Sequence, residues 1–493
     1  MKHFKFGRIG GKILSVFLFI HFFMFTSISA FAAPASKEEA LTEAEERKSL
    51  PVQSNQVENW PAGPAIGAES AILLEANTGV ILYAKNIDER LYPASTTKLM
   101  TCLLAVENCE LSETITFSHD AVFSLEPGSS NIGIDEGQAM TLEECLYGIL
   151  TASANEVSNA VAEHVAGSVD AFADMMNEKA QLLGCKNTHF VNAHGLHNEN
   201  HYTSSYDLAV IAKAFFQNEL LSKIGNTPYY HFMPTSKQPD DFIVRNKHRL
   251  ISGEIAYDGI KGGKTGYTDD ARETLVTCAE QNGMKLICVI MKEESPEQFY
   301  DTVKLFDYGF TNFMTANVSE NETKYSIQNS NFFNTSNDIF GNSKPILALN
   351  TDSYLIMPKS VSFDDLDSEI SYETTGEDTV AEINYFYHDA YLGTATVDFV
   401  REMPASYEFS QNTEALSETG SEESQVIIVN IKVILIVTLI IAAILIVIFI
   451  IRSIIDNYSF LNNRGVVKKR GKRKRDRKGG PYLPSSRFKD FDL

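Results

Sequence analysis

The chain has 493 residues, 44 % of them apolar and 22 % charged, which is enough for two or more packed domains and too apolar for a chain disordered throughout. Its formal charge of −22 understates the acidity of most of it, because Arg464 to Lys478 alone holds ten basic residues against one acid, Asp476. An acidic body repels nucleic acid, so that class of partner is set aside.

In chain order, residues 1–32 place Lys2, Lys5, Arg8 and Lys12 before the apolar run Ile13–Phe25 and close on Ala30-Phe31-Ala32, the pattern of a cleaved export signal. Residues 33–67 are acidic and then Pro/Gly-punctuated, and predict a flexible linker with at most a brief helix. Ala71–Glu75 and Val80–Lys85 flank the turn Ala76-Asn77-Thr78-Gly79 and read as a hairpin. After Pro93, Lys98–Val106 reads as a largely buried helix, with Ser95 in its first turn. Leu142–Leu150 is a second helical pattern that ends in Thr151-Ala152-Ser153-Ala154-Asn155, and a further helix runs to Val165. Helices over Ala171–Leu183 and Tyr206–Phe216 enclose the turn-rich loop Asn192-Ala193-His194-Gly195-Leu196.

Lys264-Thr265-Gly266 opens a strand, Thr274–Ala279 and Met284–Met291 alternate around Asn282-Gly283, and Glu297–Thr311 is helical. Strands on both sides of a helical middle predict an α+β domain over 68–315, with the N- and C-terminal strands in one antiparallel sheet. From 316 to 403, Ile346–Leu349, Tyr354–Met357, Glu369–Glu373, Val380–Tyr387 and Tyr391–Val400 predict a separate small all-β domain. A Ser/Glu/Thr-rich linker, 404–425, leads to 426–452, where Val433–Ile451 gives nineteen uncharged residues between Lys432 and Arg452. That is long enough to cross a bilayer as a C-terminal transmembrane helix. The basic tail, 453–493, then lies in the cytoplasm and the body outside.

Six cysteines in several hundred exported residues do not make a disulfide-stapled scaffold. If Asn282-Gly283 is a two-residue hairpin turn, Cys278 faces Ile287 and Cys288 faces Thr277, which puts the two sulfurs on opposite faces. Buried free thiols are expected, with no bridge between these two.

Ser95 and Lys98 lie three residues apart on one helix face, so the lysine amine can reach the serine hydroxyl and activate it as a nucleophile. Ser-x-x-Lys is expected roughly once or twice by chance in a chain this long, and Ser486-Arg487-Phe488-Lys489 repeats it in the basic tail without an apolar helix behind it. Lys98 can act as a base only if burial or a neighbouring cation lowers its pKa, and Lys264 is available as that cation. Between two helices, Ser153 can shuttle a proton and Asn155 can hold a substrate carbonyl; Ser129-Ser130-Asn131 has the same spacing but reads as a surface turn after Pro127-Gly128. Lys264 and Thr265 can bind a carboxylate, and Gly266 lets a substrate backbone lie against the strand. The Ser95 and Tyr267 amides make a candidate oxyanion pair.

Ser-x-x-Lys, Ser-x-Asn and Lys-Thr-Gly in this order resemble the signature of penicillin-binding proteins and class A β-lactamases. Pro93–Met100, the Asn192–Leu196 loop with His201-Tyr202-Thr203, and Lys264–Thr268 look most like the D-alanyl-D-alanine carboxypeptidases, over about residues 66–405. The resemblance implies a penicillin-recognising serine-hydrolase fold with an antiparallel sheet and a helical subdomain, acting on the peptidoglycan stem pentapeptide and inhibited by β-lactams. It implies Ser95 as acyl-enzyme nucleophile, Lys98 as its proton acceptor, Ser153 and Asn155 as the second motif, and Lys264 as carboxylate binder. The chain departs from it in Ala154, where members often carry glycine, and in Ala271-Arg272, where they often carry Ala-Gly. A β-lactamase of the same fold would need a Glu-x-x-Leu-Asn pattern, which neither Leu349-Asn350 nor Leu461-Asn462 completes. A transpeptidase or a membrane-bound penicillin-binding sensor are the other readings. His194 and His201 match no compact metal motif and are assigned to loop ordering, with no metal or organic cofactor expected.

Overall fold

The computed structural model describes residues 37–325 and 347–399, apart from 375 and 377. The export signal, the linker at 404–425, the span at 426–452 and the basic tail lie outside these. Among the described residues, no helix is long and apolar enough to cross a membrane.

The apolar strand runs build one five-stranded antiparallel sheet, ordered β2-β1-β9-β8-β7, from β1 (Ser70–Glu75), β2 (Ile81–Lys85), β7 (Ile260–Thr268), β8 (Arg272–Gln281) and β9 (Met284–Glu293). Strands from the two ends of the domain thus meet, as expected, through the β1–β9 ladder that sets Ile72 opposite Val289. Alternation then sorts the side chains into two cores. Ile72, Leu74, Val276, Cys278, Ile287 and Val289 point into the first; Leu73, Leu275, Leu286, Cys288 and Ile290 into the second. Asn282 and Gly283 both turn with positive φ (50° and 79°), the geometry of a two-residue hairpin. The resulting register pairs Cys278 with Ile287 and Thr277 with Cys288, so the two sulfurs occupy different cores, and all six cysteines are free thiols.

The first core is covered by a helical layer: α2 (Lys98–Asn108), α3 (Leu142–Tyr147), α4 (Asn155–Ala166), α5 (Val169–Leu182), α6 (Ser205–Gln217) and α7 (Glu219–Gly225). Two hairpins complete it, β3–β4 (Thr114–Thr116 and Ala139–Thr141) and β5–β6 (Tyr229–Phe232 and Phe242–Arg245). Neither hairpin stands out in the sequence, because their strands are three or four residues long and lack a sustained alternation.

The second core is closed by α8 (Glu297–Asn312) and by two parts whose roles differ from expectation. From residue 37 on, the expected flexible linker is packed. Its helix α1 (Lys37–Arg47) buries Ala40 and Ala44, and Arg47 Nε donates to Gly67 O at 2.8 Å. Lys85 Nζ donates to Arg47 O at 2.8 Å, and Trp60 is buried with its Nε1–H on Leu82 O at 3.0 Å. Acidic composition hid this, because the anchors are single residues spaced too far apart to form a periodic pattern.

The β module is also less separate than its sequence suggests. β10 (Phe313–Asn317) spans the expected boundary at 315/316 and pairs with β12 (Tyr354–Pro358), while β11 (Leu347–Leu349), β15 (Ala390–Phe399), β14 (Thr379–Tyr387) and β13 (Asp367–Ser371) form a four-stranded sheet in that order. Leu355, Ile383, Tyr385 and Leu392 share the second core with Leu73 and Phe306. One apolar interior therefore runs from the main sheet into the module.

Candidate active site

Ser95 lies in a 3-10 turn, Ala94–Thr97, that runs without a break into α2. The turn is tied down by its own hydroxyls, Thr96 Oγ1 on Pro93 O at 2.7 Å and Thr97 Oγ1 on Ala94 O at 2.8 Å, and by Thr274 Oγ1 of β8 on Pro93 O at 2.8 Å. Ala94 adopts φ +48°, a left-handed conformation that costs an alanine about 1–2 kcal/mol. Gly195, at φ +85°, packs so closely on the Ala94 carbonyl that a side chain there would collide with it.

Lys98 is wholly buried, and its Nζ meets Ser95 Oγ at 2.9 Å, Asn155 Oδ1 at 2.7 Å and the His194 carbonyl at 2.5 Å. Burial holds its pKa well below the ordinary lysine value, and the neighbouring Lys264 and Lys247 charges lower it further. Lys264 is itself pushed down to about 7, by burial first and by Lys247 second.

Ser153 caps a π-helical turn, Gly148–Ala152, at φ 63° and ψ 34°. A serine in this left-handed region at a cleft is a strained residue held by its surroundings. Here Ala154 N bonds Gly148 O at 3.2 Å and Asn155 N bonds Ser130 O at 2.9 Å. Ala154 has φ −62°, so the methyl that replaces glycine's hydrogen causes no backbone strain. Lys264 Nζ donates to Ser153 Oγ at 3.0 Å and to Thr265 O at 2.7 Å.

Thr265, Gly266 and Tyr267 form the last part of β7, an edge strand, rather than its opening. The strand passes directly over the Ser95 turn. A Cβ built on Gly266 would stand 2.7 Å from Ser95 N, a separation no side chain allows. Together these residues line a cleft of about 430 Å³ that includes Ser95, Ser153, Asn155, Thr265, Gly266 and Tyr267. Lys98 and Lys264 are buried behind this lining, bonded to Ser95 and Ser153 respectively.

The cleft also contains residues the sequence reading passed over. Ser129 and Ser130, set aside as a surface turn, form part of its wall; Ser130 O holds Asn155 N, and Ser130 Oγ accepts from Lys247 Nζ at 2.7 Å. Lys247, Arg249 and Glu273 line it as well. Lys247 and Arg249 lie in an irregular segment with no motif, and only the fold brings them to Ser95. Arg272 sits at φ +53°, a position suited to glycine, and its guanidinium grips Glu294 through Nε–Oε1 at 2.9 Å and Nη2–Oε2 at 2.6 Å. It stacks 5.8 Å from the Tyr267 ring, so it braces the rim of the cleft.

Both loop histidines are buried, and burial pushes each down to about 3, so they are neutral. His201 Nε2 lies 2.8 Å from Thr97 Oγ1, its Nδ1 accepts from Val191 N at 3.1 Å, and His194 Nδ1 accepts from Leu196 N at 3.1 Å. These contacts order the loop whose His194 carbonyl reaches Lys98.

A family model described as D-alanyl-D-alanine carboxypeptidase matches residues 56–295. The chain is 39 % identical over 254 residues to D-alanyl-D-alanine carboxypeptidase DacF of Bacillus subtilis, a match covering 50 % of this chain and 63 % of that protein, so it spans under two thirds of DacF. It is 31 % identical over 256 residues to D-alanyl-D-alanine carboxypeptidase DacB2 of Mycobacterium tuberculosis, covering 51 % of this chain and 84 % of that one. Penicillin binding protein 5 from Haemophilus influenzae superimposes with a TM-score of 0.55 at 25 % identity, over 69 % of this chain and 98 % of that one. With its Ser95, Ser153 and Lys264 motifs gathered in one cleft of this fold, the chain belongs to the D-alanyl-D-alanine carboxypeptidase family.

Proposed function

We propose that the protein is a serine carboxypeptidase that removes the terminal D-alanine from peptidoglycan stem pentapeptides through an acyl-enzyme on Ser95. The observation that carries this reading is the buried Lys98 amine 2.9 Å from Ser95 Oγ. A neutral amine has two N–H groups and one lone pair. With the N–H groups on Asn155 Oδ1 and His194 O, the lone pair is left to take the Ser95 proton. Ser95 Oγ then attacks the carbonyl of the penultimate D-alanine, and the Ser95 and Tyr267 amides receive the developing oxyanion.

Lys264 and Thr265 hold the substrate carboxylate, and Asn155 Nδ2 donates to a substrate carbonyl. As the C–N bond breaks, Ser153 gives its hydroxyl proton to the departing nitrogen, and the proton gained by Lys98 restores it. Water attacks the acyl-enzyme by the same route in reverse, returning Ser95 to its free form. A β-lactam enters the cleft as a substrate mimic and leaves Ser95 acylated. The basic–apolar ends of the sequence support a body outside the cell, exported by residues 1–32 and tethered by 426–452, with the basic tail inside.

The deciding experiment incubates the protein with a peptide ending in D-Ala-D-Ala and assays free D-alanine, with and without an added amine acceptor. Release to water is the expected result. Amide product would make the protein a transpeptidase, and stable acylation by penicillin without peptide turnover would make it a penicillin-binding sensor.

A further inference from the structure

Away from the cleft, three elements bring together a thiol, a carboxylate and an imidazole. Cys109 caps the C-terminus of α2, its N–H bonded to Ala105 O at 3.0 Å. Glu113 lies just before β3, and His164 is in the last turn of α4. One ligand atom from each, Cys109 Sγ, a Glu113 carboxylate oxygen and a His164 ring nitrogen, falls within 4.8 Å of the other two. His164 Nε2 is 2.9 Å from Glu113 Oε2.

The backbone aims this set. Glu113 Oε1 accepts from Glu110 N at 2.6 Å, which fixes the carboxylate plane and leaves Oε2 towards the histidine. Glu113 N bonds Glu110 O at 3.0 Å and Glu113 O accepts from Leu142 N at 2.9 Å, so the residue is held from both sides. An outer contact that orients a ligating carboxylate is characteristic of metal sites.

We infer that Cys109, Glu113 and His164 form a zinc-binding site that ties the far end of α2 to the far end of α4. Thiolate, imidazole and carboxylate together suit Zn²⁺ and disfavour Mg²⁺ or Ca²⁺, which take oxygen ligands. Tetrahedral coordination at zinc bond lengths sets the ligand atoms roughly 3.3–3.6 Å apart, so the side chains need move only about an ångström. Water completes the fourth position, since all three residues are partly exposed. Binding displaces the thiol proton to solvent, and the imidazole binds through Nε2 with its proton on Nδ1. The two helices so joined carry Lys98 at the start of one and Asn155 at the start of the other. Zinc here stiffens the scaffold of the cleft without touching substrate.

The test strips the full-length chain with a chelator, titrates it with Zn²⁺ by calorimetry, and records its absorption with Co²⁺ as a probe. One equivalent of Zn²⁺, a thiolate-to-cobalt charge-transfer band, and a Tm raised by Zn²⁺ are expected. Cys109→Ser should lose the band, and both Cys109→Ser and His164→Ala should weaken Zn²⁺ binding at least tenfold and lose the Tm gain. Penicillin acylation at wild-type rates in the stripped variants shows that they remain folded. Absence of Zn²⁺ binding and of the cobalt band in the wild type overturns the inference, whatever the variants do. So does a band that survives Cys109→Ser, or an affinity that neither variant changes.

Discussion

In the proposed mechanism Lys98 is the base, a role that its lowered pKa supports. Burial does most of the lowering, and the charges of Lys264 and Lys247 add to it. Removing the nucleophile in Ser95→Ala should abolish covalent labelling by β-lactams; wild-type labelling, read by intact-protein mass, would reject Ser95. Lys98→Met leaves the nucleophile without its base and should slow acylation by roughly 10²–10⁴-fold with the fold unchanged, as followed by stopped-flow with a chromogenic cephalosporin. Lys264 gives a pH signature. It sits at about 7 in the free protein, so it loses its proton, and with it the charge proposed to take the carboxylate, as pH rises through that value. Because kcat/KM reports the free enzyme, it should fall on the alkaline side from about pH 7. A bound carboxylate raises Lys264, so the corresponding limb of kcat should lie higher. Lys264→Arg stays charged throughout and should lose the limb; a limb unmoved by this change would assign it to another group.

At the level of the element, β7 and its following turn set what the cleft can admit. Gly266 lets the strand edge lie on the Ser95 turn, with room for no Cβ. Gly266→Val should displace the strand from Ser95 and lower acylation by about 10²-fold, measured beside circular dichroism to show that the sheet survives. Arg272 poses two opposed effects, a left-handed φ of +53° and the paired hydrogen bonds to Glu294. Arg272→Ala loses the pairing and keeps the strain, whereas Arg272→Gly loses the pairing and relieves it. The glycine variant should therefore be the more stable of the two by about 1 kcal/mol in urea unfolding. Equal stabilities would mean that the backbone relaxes at this turn.

For the whole molecule, the second core is what makes the N-terminal segment, the main sheet and the β module one body. Trp60 is central to it: its ring lies 5.2 Å from that of Phe313 at the start of β10, and its N–H is bonded to Leu82 O of β2. Trp60→Ala should cost roughly 3–5 kcal/mol in urea unfolding, the range for a buried aromatic. A loss below 1 kcal/mol would show that the segment does not stabilise the body.

Much of the domain was legible locally. The hairpin turn at Asn282-Gly283 determined the register of Cys278 and Cys288, and the three motifs named part of the cleft lining, Ser95, Ser153, Asn155 and Thr265 to Tyr267, because turn chemistry and three-residue helix spacing act over a few neighbouring residues. What only the tertiary structure decided are contacts made across long stretches of chain. Ser130 and Lys247 meet at the cleft wall, Trp60 and Phe313 join the start of the body to the module, and Cys109 and Glu113 are met by His164 from another helix. No periodicity records such meetings. They follow from how two sheet faces bury their side chains, and burial depends on the packing of the whole domain rather than on any local pattern.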